Sequence, residues 1–146
     1  MHPATKNLPE ELWNALQQVG CTRTYPAGAI LFSEQLESEG VYLVQEGAIT
    51  IQMSAPVPQQ LARTAGPGTL LGLSEALCCD THKFDAIAGE DCVICFVARQ
   101  DFLEFLRQNQ ACCMQIVRLL SDDLHALYHR FQTQPRFVHR GRKKAG

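Results

Sequence analysis

The sequence predicts a mainly β protein, a sandwich or barrel, with helices flanking it on both sides. Three observations carry that expectation. Between Thr22 and Ala98, short apolar runs are punctuated by turns rich in glycine and proline. Apolar residues at helical spacing occur only before and after that stretch. Strands and helices do not alternate along the chain, which excludes a doubly wound parallel sheet.

The first element is a helix of about three turns. Asn7, followed by Leu8, Pro9 and Glu10, makes an N-cap signal with proline in the first turn. Leu8, Leu12, Leu16 and Val19 recur at helical spacing, and Gly20 is placed to end the helix. The strand runs that follow are Ala29–Phe32, Val41–Val44, Ala48–Met53, Gln60–Ala65, Lys83–Ala88 and Cys92–Ala98. Turn residues separate them, among them Pro26 to Gly28, Gly40, Gly47, Pro56 to Pro58, Gly66 to Gly68 and Gly89 to Asp91. After Arg99 the helical period returns. Phe102, Leu103, Phe105 and Leu106 suit a short helix, and a longer one runs from about residue 111 to about residue 133.

At 146 residues, with 46% hydrophobic and 19% charged, the chain fits one soluble globular domain. No apolar run approaches the ~20 residues that cross a bilayer. The start, MHPATKNLPEEL, carries no signal pattern, so a cytoplasmic protein without a membrane partner is expected. The seven cysteines include the adjacent pairs Cys78–Cys79 and Cys112–Cys113 and read as small apolar fillers kept reduced. The net charge of −2 hides an asymmetry: residues 135–146 hold Arg136, Arg140, Arg142, Lys143 and Lys144 and no acid. Such a tail is expected to be solvated.

One stretch, YPAGAILFSEQLESEGVYLVQEGAITI (residues 25–51), resembles the opening of a cyclic-nucleotide-binding β-roll, with Gly28, Gly40 and Gly47 at its turns. GPGTLLGLSEAL then resembles the start of that family's phosphate-binding cassette, and VARQDFLEFLRQNQ the helix after the roll. The last helix stands where CRP/FNR-type regulators have their dimer helix. The likeness runs from about residue 8 to about residue 132 in unbroken order. It implies a double-stranded β-helix, or jelly roll, with an N-terminal helix, a short cassette helix and two C-terminal helices. Residues 1–134 then form the sensor domain, with the roll at about 22–98, its C-terminal helices at about 99–133, and a basic tail at 135–146. A cupin, another jelly roll, needs a His-x-His pair, and His82 is the only histidine between residues 3 and 124.

In nucleotide-binding members of the family, a glutamate after the cassette glycine holds the ribose. An arginine further on, beside Ser or Thr, pairs with the cyclic phosphate, a match of fork to oxygens. Here Gly72 is followed by Leu73, and no arginine lies between Arg63 and Arg99. Alignment on Ala88 puts His82 or Lys83 at the arginine position and Lys83 or Phe84 at the Ser/Thr position. Charge-assisted bonds are worth ~1.5–3 kcal/mol each, so tight cyclic AMP binding is not expected.

Other motifs carry less. Gly72-Leu-Ser74-Glu-Ala76 echoes a nucleophile elbow, but the chain has no large α/β sheet to support it, and a cap or turn serine is expected. Cys92 and Cys95 lie in a predicted strand, where residues three apart face opposite ways, so they cannot share a metal. His125 and His129, one helical turn apart, make too few ligands for a site. In CRP/FNR regulators the long helix leads into a DNA-reading domain. The twelve residues from Pro135 are too few for one, so sequence-specific nucleic-acid binding by this chain alone is not expected.

The expectation is therefore a CRP/FNR-type sensor module, not an enzyme, with no cofactor and no metal. Its input is a small-molecule effector or a partner protein. Its output is a homodimer through Cys113, Val117, Leu120, Leu124, Leu127 and Phe131, which follow a 4-3-4-3-4 spacing. Two alternatives stand beside it. One is a sensor of another small ligand or anion in the degenerate pocket of Gly72, Leu73, Ser74, His82, Lys83 and Phe84. The other is a redox or metal sensor using Cys78, Cys79 and His82.

Overall fold

The structure, a computed structural model, describes residues 4–52, 63–78 and 81–132, the last eleven of these by backbone alone. The basic tail, Cys79, Met53 and the Pro56–Pro58 turn lie outside the described residues. The elements in order are β1 (Ala4–Thr5), α1 (Glu10–Val19), β2 (Cys21–Tyr25), β3 (Ile30–Phe32), β4 (Gly40–Glu46) and β5 (Ile49–Gln52). They continue with β6 (Arg63–Ala65), β7 (Leu70–Leu71), α2 (Leu73–Cys78), β8 (Asp85–Ala88), β9 (Cys92–Ala98), α3 (Arg99–Gln108) and α4 (Gln110–Gln132). The strands form two antiparallel sheets, one of five strands in the order β1-β7-β4-β9-β2 and one of four in the order β3-β8-β5-β6.

The two-residue period of a strand divides the apolar residues of β4 and β9 between two cores. Tyr42 and Val44 of β4, with Cys92, Ile94 and Phe96 of β9, point between the sheets and meet Phe32, Ile49, Ile51 and Phe84. Val41 and Leu43, with Cys95 and Val97, point outward and meet Leu12, Leu16, Phe102, Phe105 and Ile116 of the helices. The five-stranded sheet is thus covered on both faces, so β4 reads as an unbroken apolar run rather than an alternating one. Cys92 and Cys95 fall on opposite faces, as their spacing predicts.

The sequence reading needs correction at the first helix. Its N-cap is Pro9, whose carbonyl accepts the Trp13 N–H at 3.0 Å, and no side chain caps it. Asn7 instead sits in the left-handed region at φ 61°, a turn conformation that asparagine tolerates. Gly20 does end the helix, its N–H donating to the Leu16 carbonyl at 3.1 Å. Three strands were not predicted. β2 is a polar edge strand with few apolar residues, and β1 and β7 are only two residues long. The predicted Lys83–Ala88 strand begins at Asp85, and the run from Gln60 is described only from Arg63.

Gly28, Gly40 and Gly47 all adopt positive φ, as their place in turns implies. Gly40 is the tightest. A Cβ there would lie 2.1 Å from the Val97 carbonyl oxygen and 3.0 Å from Ala98 Cα, both backbone atoms of the paired strand. Gly40→Ala is therefore expected to lose at least about 3 kcal/mol or to fail to fold, the size of effect reserved for backbone clashes in a core. Denaturant unfolding of the variant beside the parent chain checks this.

Candidate functional site: the cassette and the aromatic interior

β7 delivers the chain to Gly72, which takes φ 84° and hands it to α2, the Gly72 carbonyl accepting the Ala76 N–H at 3.1 Å. A side chain at Gly72 would face inward, 3.7 Å from His82 Cε1 and 3.9 Å from Tyr42 Cδ1. The far end of α2 is held from α3: Arg99 Nε donates to the Ala76 carbonyl at 2.8 Å. Ser74 is the second residue of α2, not its cap.

The six residues predicted to line the pocket do not converge. His82 and Phe84 are buried, Phe84 in the core between the sheets and His82 stacked on its Phe32. Leu73 turns the other way, into the core under the helices, because the helix period puts it on one face of α2 with Ala76. Ser74 is half-buried and Lys83 is exposed. The residue beside the cassette glycine is therefore His82, not Lys83.

What fills the roll is aromatic. Phe96 lies 5.0 Å from Tyr42, Tyr42 lies 5.2 Å from Phe32, and Phe32 meets Phe84 edge-on at 5.3 Å. His82 stacks on Phe32 at 3.8 Å with the rings 15° apart. At the opposite edge, on β2, the Arg23 guanidinium sits 3.8 Å over the Phe96 ring and donates to the Tyr25 hydroxyl at 3.2 Å. Sequence reasoning missed Phe32, Tyr42 and Arg23 as neighbours of the site. The signal for Arg23 was its place in the alternation of CTRTY, opposite Ile94, whose side chain faces the interior.

His82 is 1% exposed, and neither ring nitrogen has a hydrogen-bond partner among the described residues. Burial alone pushes its pKa down to about 4, so the ring is neutral at pH 7. Burial, with the nearby Tyr25 and Glu39, pushes the Tyr42 phenol up, so it too stays uncharged. Burial also raises the thiols of Cys95 and Cys112, with smaller contributions from Cys21 and Glu11 respectively, which leaves both as inert fillers. The six described cysteines are free, and no three His, Cys, Asp or Glu side chains gather into a metal site among the described residues. Cys78 is exposed while His82 is buried. The side chains of His125 and His129 lie outside the described residues.

Of the six residues predicted to form a dimer seam, Cys113 and Leu120 pack against the chain's own helix-side core, together with Cys112, Ile116 and Leu119. Val117 is 45% exposed, and Met114 beside it is 54% exposed. The chain's own core thus covers the face of α4 that holds Cys113 and Leu120 and leaves Met114 and Val117 outward. The side chains of Leu124, Leu127 and Phe131 lie outside the described residues. No helix among the described residues is long and apolar enough to cross a membrane.

A two-sheet antiparallel roll, with a glycine-led cassette helix and a helical layer on its larger sheet, is the architecture of the chain. The cyclic nucleotide-binding domain model matches residues 22–109, and the chain belongs to that family, whose members are sensors rather than enzymes. Among solved structures it is similar to the Catabolite Activator Protein of Thermus thermophilus, with TM-score 0.74, 23% identity, 87% of this chain covered and 60% of that one. It is also similar to the N-terminal domain of a transcriptional regulator from Streptomyces coelicolor, with TM-score 0.69, 18% identity, 82% of this chain covered and 86% of that one. The sensor domain of the transcriptional regulator DNR from Pseudomonas aeruginosa follows, with TM-score 0.68, 15% identity and coverage of 90% and 87%. At these identities the likeness is one of fold. The chain spans 60% of the Thermus protein's length. No curated protein matches the sequence closely enough to count as a relative.

The neutral His82 makes stability depend on pH. Its folded pKa of about 4 lies below the ordinary 6.5, so the unfolded chain takes up the proton first as pH falls. The contribution is complete above pH 6.5 and is lost as pH falls towards 4, a loss of roughly 3 kcal/mol at ~1.4 kcal/mol per unit. His82→Phe is expected to flatten that part of the profile. Urea midpoints across the window, for parent and variant, check it.

Proposed function

We propose that the chain is a CRP/FNR-type sensor module whose roll does not bind cyclic AMP or cyclic GMP tightly and which acts as a homodimer through α4. One observation carries the first half. The side chain beside the cassette glycine is a neutral, buried imidazole stacked on Phe32, where phosphate recognition needs a cation. Leu73, which stands at the ribose glutamate's place, is turned into the helix-side core. Two charge-assisted contacts are missing together, at about 1.5–3 kcal/mol each. Calorimetric titration with cyclic AMP and cyclic GMP is expected to show affinities no tighter than the high micromolar range. Sub-micromolar binding of either nucleotide defeats this reading.

The second half is supported by the outward face of α4. Met114 and Val117 are exposed at a spacing that leads through Ser121 to Leu124, and the sequence continues the stripe at Leu127 and Phe131. An apolar stripe left over after a helix has packed on its own domain suits a second copy of the same helix. Light scattering at tens of micromolar is expected to give a dimer mass. Leu124→Asp with Leu127→Asp is expected to give folded monomers, since it puts charges into the seam. A monomeric parent chain rules the dimer out.

A further inference from the structure

His82 fastens a loop as well as filling space. Its backbone N–H donates to the Leu36 carbonyl at 2.9 Å, and its own carbonyl accepts the Gln35 N–H at 2.8 Å. One residue earlier, Thr81 bridges to Glu37. The loop so held, residues 33–39 between β3 and β4, contains Gln35 at φ 74°, a left-handed conformation that costs a non-glycine residue energy. A strained backbone and a buried side chain whose ring nitrogens have no partner among the described residues therefore meet at one point.

We infer that His82 is a proton-operated latch: the neutral ring stays in the aromatic interior and fastens the 33–39 loop, and the protonated ring withdraws and releases both the loop and the space before Gly72. The box around the ring explains why. Phe32 of β3 stacks on its face, and the imidazole Cε1 borders, with Tyr42 Cδ1, the space before Gly72. Among the described residues neither ring nitrogen has a partner, so an imidazolium there holds two unpaired N–H donors and a charge stripped of water. The face of Phe32 attracts a cation, but it does not replace the hydration of two N–H groups.

The charged groups of the neighbouring segments are Glu34, Glu37 and Glu39 in the loop, the buried Glu75 on the cassette helix, Lys83 and Asp85 after the ring, and Asp80 before it, outside the described residues; Tyr42 is the titratable group on β4. Among the described residues, burial is the influence that moves the imidazole. Asp85 needs separating from the latch, because its Oδ1 accepts the Glu34 N–H at 2.7 Å and its protonation acts on the same loop. The latch is regulation of the cassette site and rests on the reading of this roll as a sensor.

The test is an NMR titration of the full chain from about pH 7.5 to about pH 3, following the His82 ring and the amides of Gln35, Leu36 and Gly72. The ring is expected to titrate at least about one unit below the ordinary histidine value, with the three amides moving at the same midpoint. Asp85→Asn is expected to leave that coupled movement in place. In His82→Phe combined with Asp85→Asn, which keeps a ring and removes both proton sites, the coupled movement of the three amides is expected to be lost. A ring that titrates at the ordinary value overturns the latch. So does amide movement that survives unchanged in the double variant or disappears in Asp85→Asn. Should the double variant not fold, the parent chain and Asp85→Asn still decide it, because ring and loop either share a midpoint or do not. No nucleotide is used, so tight cyclic-nucleotide binding defeats the functional reading alone, and silent loop amides defeat the latch alone.

Discussion

The pairing of β4 with β9 is the constraint on which the rest of the molecule depends. Six register pairs from Gly40 opposite Ala98 to Glu46 opposite Val93 fix which side chains face the interior and which face the helices. A slip of one residue would turn β4 over against β9, sending Tyr42 and Val44 out to the helices and bringing Val41 and Leu43 in while Ile94 and Phe96 stayed inside. The aromatic interior and the helical seat would both be lost. Gly40 closes one end of this register by letting the backbone of β4 approach Val97 more nearly than any side chain permits.

The two cores then divide the labour. The helix-side core holds α1, α3 and the first turns of α4 against a rigid sheet and takes Leu73 and Ala76 of the cassette helix with them. The inner core holds Phe32, Tyr42, Phe84 and Phe96, with His82 stacked on Phe32. The cassette glycine stands at the boundary, with its carbonyl starting the helix and its α-carbon facing the imidazole. The roll is not hollow. Aromatic rings occupy it, and dispersion among close-packed rings gives it cohesion.

Much of this was legible from residue order. Leu12 and Leu16, Phe102, Phe105 and Leu106, and the run Cys92–Ala98 announce themselves by period, because each is an apolar stripe pressed on one surface. The turn glycines were legible too, since a positive φ leaves few other choices. The cassette was legible as a shape but not as a lining. Sequence alone left His82 and Lys83 as equal candidates, and only the tertiary packing sends one inward and the other to solvent. β2 escaped notice because an edge strand needs little apolar surface, and its informative residue, Arg23, is polar. On α4 the heptad count found a stripe but not its covered side, because the spacing of Cys113, Val117 and Leu120 says nothing of which of them the chain's own core has already covered.

The bond from Arg99 to the Ala76 carbonyl has a mechanical consequence. Arg99 is the first residue of α3, which reaches α4 through the single residue Asn109, so the cassette helix is tethered to the base of a long lever. Twenty-three residues at ~1.5 Å rise give α4 a length of about 34 Å. A rotation of about 5° at its base carries the far tip through about 3 Å, which is enough to move a side chain out of one hole of a helical seam towards the next. A motion too small to notice at Gly72, if carried along this tether, would arrive as a displacement on the scale of an atom-to-atom contact.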